Sequence, residues 1–79
     1  MTGMVNVLYF ASLRELIGTA NAQVAITQET AASEVWRQAN PNIELPDSSL
    51  IAINQSYASL ESLVSPGDEV AFFPPVTGG

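Results

Sequence analysis

A single amphipathic helical stripe, flanked in sequence by strand-like segments, predicts an α+β domain for this chain of 79 residues. The arrangement expected is the β-grasp, or ubiquitin-like, one: a mixed sheet packed on one main helix. Two observations narrow it. Alternating apolar runs open the chain (Met4 to Ala11) and close its patterned part (Glu69 to Phe73). The segment between Tyr57 and Ser65 is too short for the second long helix that a ferredoxin-like sandwich requires. The chain reads as one domain over 1–79, with 74–79 as a flexible tail. A chain this short buries only about 60–65% of its extended surface, so one small core is expected.

The elements follow in order. MVNVLYFA, Met4 to Ala11, places Val5, Val7 and Tyr9 on one face and Leu8 and Phe10 on the other, which predicts a central strand covered on both sides. Ser12 is a suitable cap for a short helical turn with Leu13, Leu16 and Ile17 at i, i+3 and i+4, closed by Gly18. Ala22 to Thr27 alternates as a second strand, with Ala22, Val24 and Ile26 inward. Thr30 is the expected cap of the main helix. Its stripe is Ala32, Val35, Trp36 and Ala39, and Asn40-Pro41 ends it because the residue before proline is pushed out of the α region. Trp36 reads as the helix's anchor in the core. After a loop from Asn42 to Ser49 come a strand at Leu50 to Asn54, a turn, and a short edge strand around Tyr57-Ala58. Ser65-Pro66-Gly67-Asp68 fits a type II turn. In the last strand Val70 and Phe72 face the core, while Ala71 and Phe73 face the other way.

Composition removes most chemistry from the side chains. There is no cysteine and no histidine, and the only cations are Arg14 and Arg37, so there is no lysine. Disulfides, thiolate metal sites, a cysteine nucleophile, a neutral-pH imidazole base and a Schiff-base amine are all excluded. A net charge of −6 argues against nucleic-acid binding, whose affinity comes from neutralising phosphates. The acidic balance suits either solubility or a basic partner. The eight carboxylates are scattered singly or as neighbours, as on a solvated surface. No apolar run approaches the roughly 18 residues of a membrane span, and MTGMVNVLYF lacks the basic start of a signal peptide. A soluble, cytoplasmic protein is expected, with no bound cofactor or metal.

That inventory directs attention to the end of the chain, FFPPVTGG. Pro74 and Pro75 fix their φ angles and donate no backbone hydrogen bond, giving a stiff extended exit. Val76 and Thr77 favour extension, and Gly78 and Gly79 have no side chains. Six such residues reach roughly 20 Å past the sheet. The tip carries the α-carboxylate of Gly79, ionised at neutral pH and a poor electrophile until a partner activates it, most simply by adenylation with ATP. The absence of lysine has a corollary. An acylating terminus finds no amine among its own side chains, although a general shortage of basic residues accounts for the same count.

FFPPVTGG, with PGDEV before it and LRELIG after the first strand, resembles the MoaD family of sulfur carriers, the small subunits of molybdopterin synthase. The resemblance runs through VLYFASLRELIGT, the single helix, AINQ and GDEVAFFPPVTGG; from Gln28 to Ser49 it is one of general character. It implies that a ubiquitin-activating-like adenylyltransferase uses ATP to adenylate Gly79, and that a sulfur donor protein then completes a C-terminal thiocarboxylate. It implies that the tail enters the active site of the synthase large subunit. Two carriers there donate in turn the dithiolene sulfurs that convert cyclic pyranopterin monophosphate into molybdopterin. By position, Gly79 bears the adenylate and thiocarboxylate, Gly78 is the second channel glycine, and Pro74, Pro75, Val76 and Thr77 form the arm. Phe73 and Arg14 are candidate partner contacts, and a heterotetramer of two small and two large subunits is implied. The carrier itself would be non-catalytic, with no nucleic-acid or membrane partner. A sulfur carrier of another pathway (thiamine thiazole synthesis), a ubiquitin-like protein modifier and a binding module with an inert tail remain alternatives.

Overall fold

The computed structural model describes residues 3–75. The elements run β1 (Gly3–Tyr9), α1 (Ser12–Ile17), β2 (Asn21–Ile26), β3 (Thr30–Ala31), α2 (Ala32–Ala39), β4 (Leu50–Ile53), β5 (Ser56–Ala58), β6 (Leu63–Val64) and β7 (Glu69–Phe73). The main sheet has five strands in the order β2-β1-β7-β4-β5. The first and last strands lie side by side and parallel, with Tyr9 opposite Phe72, and all other pairings in this sheet are antiparallel. This is the expected β-grasp: a mixed sheet with one main helix across a face.

The period-2 pattern decides which face that is. Val5, Val7 and Tyr9 of β1, Val24 and Ile26 of β2, and Val70 and Phe72 of β7 are all buried against α2. From the helix side come Ala32, Val35 and Trp36. Burying each large side chain contributes roughly 1.5–3 kcal/mol, and these supply most of the driving force for folding. Three rings form the centre. Trp36 meets Phe72 edge-on at 5.0 Å and Tyr9 edge-on at 5.7 Å, while Tyr9 and Phe72 lie 6.4 Å apart. The indole N–H of Trp36 donates to the carbonyl of Ile43 at 2.7 Å, so the anchor also holds the start of the loop after α2.

Several local expectations hold. Gly18 closes α1 at φ 92° and donates its N–H to the Arg14 carbonyl. Ser65 to Asp68 is a closed turn with Gly67 at φ 96°, and the Asp68 N–H donates to the Ser65 carbonyl. Asn54 and Gln55, both at positive φ, make the two-residue turn between β4 and β5.

Others are corrected. β1 is interior but covered on one face only: Met4 and Asn6 are exposed and Leu8 is half-buried. Neither hydroxyl caps a helix. Ala11 and Ala31 occupy the cap positions, with no side-chain cap bond at either. Thr30 instead belongs to β3, which pairs with β6 in a separate two-stranded sheet. The first N–H groups of α2 find other acceptors: Ala32 donates to the Ser62 carbonyl and Ser33 to that of Leu60. Backbone from a distant segment satisfies the donors that a capping hydroxyl would otherwise take.

Candidate functional site at the root of the tail

The tail leaves the middle of the sheet. β7 is third of five strands, so Phe72 and Phe73 are held from both sides. The Phe10 N–H donates to the Phe72 carbonyl at 3.2 Å, and Leu50 of β4 stands opposite Phe73. Pro74 and Pro75 follow and are half-buried, so the stiff segment begins against the body of the domain. Val76, Thr77, Gly78 and Gly79, the outer arm and tip, lie outside the described residues. α1 begins just past the end of β1, at the same end of the sheet. Arg14 is therefore at the tail's end of the molecule, with its side chain exposed.

The face of the sheet turned away from α2 carries a second apolar surface. Phe73 points there, as expected, and its ring stacks on Phe10 at 4.7 Å with the planes 8° apart. These rings and Leu8, Ala52, Ala71 and Tyr57, with Gln55 and Glu69 as the polar members, line an open groove of about 450 Å³. Ala52 and Ala71 are nearly covered, whereas Phe10 is 41% and Tyr57 80% exposed. Small residues in mid-strand form a floor and aromatic rings form the walls. Exposed aromatics beside a shallow apolar floor suit protein contact better than enclosure of a small molecule. Alternation had put Leu8, Phe10, Ala71 and Phe73 on this face. Ala52 and Tyr57 join them only through the β7-β4-β5 pairing, which local sequence does not encode.

Acid–base groups are scarce at this end. The most notable is Tyr9, level with Phe72 but on the core side. Burial pushes its phenol above the ordinary tyrosine range, partly offset by a hydrogen bond from the Asn40 amide at 3.0 Å. Its role is structural. Among the described residues no group of three or more acidic side chains is placed to hold a metal ion. A larger depression, about 580 Å³, lies on the helix side between α2 and the loop from Pro41 to Ser49, beside Trp36 and Arg37.

The model of the ThiS family matches residues 7–79, nearly the whole chain and all of the tail. The chain belongs to the ThiS family. Two relatives are each named molybdopterin synthase sulfur carrier subunit. The one from Escherichia coli K12 is 44% identical over 85 residues, covering 96% of this chain and all of that protein. The one from Haemophilus influenzae is 45% identical with the same coverage. Among solved structures, SAMP1 from Haloferax volcanii superposes with a TM-score of 0.80 at 26% identity, covering 98% of this chain and 100% of that one. These likenesses agree with the resemblance first carried by FFPPVTGG and with the ubiquitin-like sheet. No helix is long and apolar enough to cross a membrane among the described residues.

Proposed function

We propose that this ThiS-family chain is the sulfur-carrier subunit of a molybdopterin synthase, acting through the carboxyl group of Gly79. The observation that carries the reading is full-length identity of 44–45% to relatives bearing that name. The tail's chemistry supports it. An ATP-dependent adenylyltransferase converts the terminal carboxylate into a mixed anhydride with AMP. Sulfide-level sulfur supplied by a sulfur donor protein then attacks the carbonyl, forming a C–S bond as the C–O bond to AMP breaks, and leaves a thiocarboxylate, a soft nucleophile that keeps its charge at neutral pH. Gly78 and Gly79 leave the carbonyl unhindered for a closely fitting partner. Pro74, Pro75, Val76 and Thr77 carry the tip into the active site of the large subunit. There it donates sulfur toward the dithiolene of molybdopterin, formed from cyclic pyranopterin monophosphate. The general acids and bases belong to the large subunit, because the carrier's contribution is delivery and positioning. The groove beside Phe73 and Phe10, with Arg14 at the same end, forms the surface on which the large subunit docks. Two carriers and two large subunits make the assembly, working in the cytoplasm where ATP is at hand. The carrier binds no cofactor of its own, and neither nucleic acid nor a membrane takes part.

The test weighs the intact protein after incubation with the adenylyltransferase, ATP and a sulfur donor. Replacement of one oxygen by one sulfur at Gly79 is expected, and an unchanged mass would refute the reading. Deleting Gly79 should leave the melting transition in place and abolish sulfur transfer. Product formation with the large subunit and the pterin precursor separates this pathway from thiazole synthesis.

A second reading draws on the likeness to SAMP1, small archaeal modifier protein 1. An adenylated Gly79 could form isopeptide bonds with lysines of other proteins. Its signature would be conjugates of higher mass that persist in denaturant and reductant, in place of a thiocarboxylate.

A further inference from the structure

We infer that the body of this carrier is cleared of nucleophiles that its own activated terminus could acylate, and that Arg14 and Arg37 supply positive charge in a form that cannot be acylated. The inference rests on the adenylation of Gly79 proposed above.

The hazard is a definite reaction. An amine attacks the carbonyl of the acyl adenylate, a C–N bond forms, and the C–O bond to the phosphate breaks. AMP leaves with the electron pair and the nitrogen gives up a proton. The amide formed is stable, so a carrier that reacts with itself or with a second copy is lost. Lysine is the usual acceptor, since its ammonium deprotonates near pH 10.4 and leaves a small but reactive neutral fraction at neutral pH. Thiolates and imidazoles are the other competent acceptors. The sequence contains none of the three. Both cations are guanidiniums, whose nitrogen lone pairs are delocalised into the planar cation and are poor nucleophiles toward an acyl adenylate.

The placement of other groups points the same way. Tyr9 is opposite Phe72, at the level of the tail's root. Its phenol is turned into the core, 2% exposed, and accepts a hydrogen bond from Asn40. The side chains nearest in sequence and register to the root are Phe10, Ala11, Ser12, Ser49 and Leu50, which offer only aliphatic hydroxyls, far weaker acceptors than amines. The parallel pairing of β1 with β7 adds a geometric separation. Gly3 lies at the opposite end of β1 from Tyr9, about 20 Å along an extended strand. Any amine that precedes Gly3 is attached at that far end, while the tail leaves from the near one.

The experiment places a single amine at each end. Asn21, exposed at the near end of β2 opposite Leu8, is replaced in Asn21→Lys. Gln28, exposed just past the far end of β2, is replaced in Gln28→Lys. Asn21→Arg adds the same charge without a nucleophile. Each full chain is incubated with the adenylyltransferase and ATP, without a sulfur donor. ATP–pyrophosphate exchange reports adenylate formation, and intact mass with peptide mapping reports amide formation. The expected result is exchange in all four proteins. Asn21→Lys should accumulate at least tenfold more amide between Gly79 and the introduced amine than the self-conjugate formed by wild type or Asn21→Arg. This amide shows itself as a chain lighter by one water or as a covalent dimer. Gln28→Lys should fall between, mostly as dimer. Normal exchange in Asn21→Lys with no amide would overturn the inference, as would equal self-conjugation by wild type. Absence of exchange in the wild type would overturn the underlying adenylation reading, and this one with it.

Discussion

The two faces of β7 are built from adjacent residues yet serve opposite ends. Val70 and Phe72 are wholly buried and face α2, whereas Ala71 and Phe73 face the groove. On the core face the partners of Phe72 are Trp36 and Tyr9, which come from the same chain and are present in every folded molecule. On the groove face the ring of Phe73 stacks on Phe10, itself 41% exposed. One face is saturated by intramolecular packing, and the other leaves aromatic surface open to solvent. A single-residue step along one strand therefore separates a ring sealed in the core from a ring on the open groove, which we propose as the binding residue. Substitutions at the two phenylalanines are the direct way to break that distinction.

The largest effect is expected at Phe72. Phe72→Ala removes a fully buried ring and leaves a cavity beside Trp36 and Tyr9, at a cost of about 3–5 kcal/mol. A domain of 79 residues has only about 4–12 kcal/mol of stability in total, so the variant should be largely unfolded or melt far below wild type. Denaturant titration followed by Trp36 fluorescence checks it. A loss under about 1 kcal/mol would place Phe72 outside the energetic core.

The core half of this contrast is legible in the sequence and the groove half only partly so. Alternation in β1 and β7 and the stripe at Ala32, Val35, Trp36 and Ala39 identify the buried residues because burial follows the period of the element. The fold class follows from the order of those elements. By contrast, β3 and β6 are two residues each, too short to show any period, and exist because Thr30 and Val64 meet in space. The same pairing brings the Leu60 and Ser62 carbonyls to the start of α2, which is why Thr30 is not its cap. Phe73 and the tail are recognisable from their place at the end of the last strand and beyond it. Tyr57 and Ala52 are not, because they reach the groove through strand order, and strand order is a property of the assembled sheet.

Phe73→Ala tests the other half. Removing a half-buried ring stacked on one neighbour should cost roughly 0.5–1.5 kcal/mol of stability. If Phe73 anchors the large subunit, truncation should cost about 2 kcal/mol or more of binding, about 30-fold in affinity. Titration calorimetry against the large subunit, set beside the melting curve, gives both numbers. A stability loss exceeding the binding loss would move Phe73 into the core and erase the contrast between the faces.

The smallest effect sharpens the core side and concerns its polar contact. Tyr9 and Asn40 hydrogen-bond in the interior, and Tyr9→Phe leaves the Asn40 amide short of a partner, costing about 1–2 kcal/mol near neutral pH. The pH dependence carries the more specific signature. Burial raises the Tyr9 phenol in the folded state above its unfolded value, with the Asn40 hydrogen bond acting in the opposite sense. Its contribution is therefore complete below the unfolded pKa of about 10 and is lost as pH rises through the higher folded value. Wild type should lose stability between about pH 9 and 11 by more than Tyr9→Phe does, because only wild type carries the buried phenol. Denaturant midpoints at the two pH values decide it. Parallel declines would mean that the phenol ionises as freely in the folded protein as in the unfolded one, which a side chain sealed between Trp36 and Phe72 should not do.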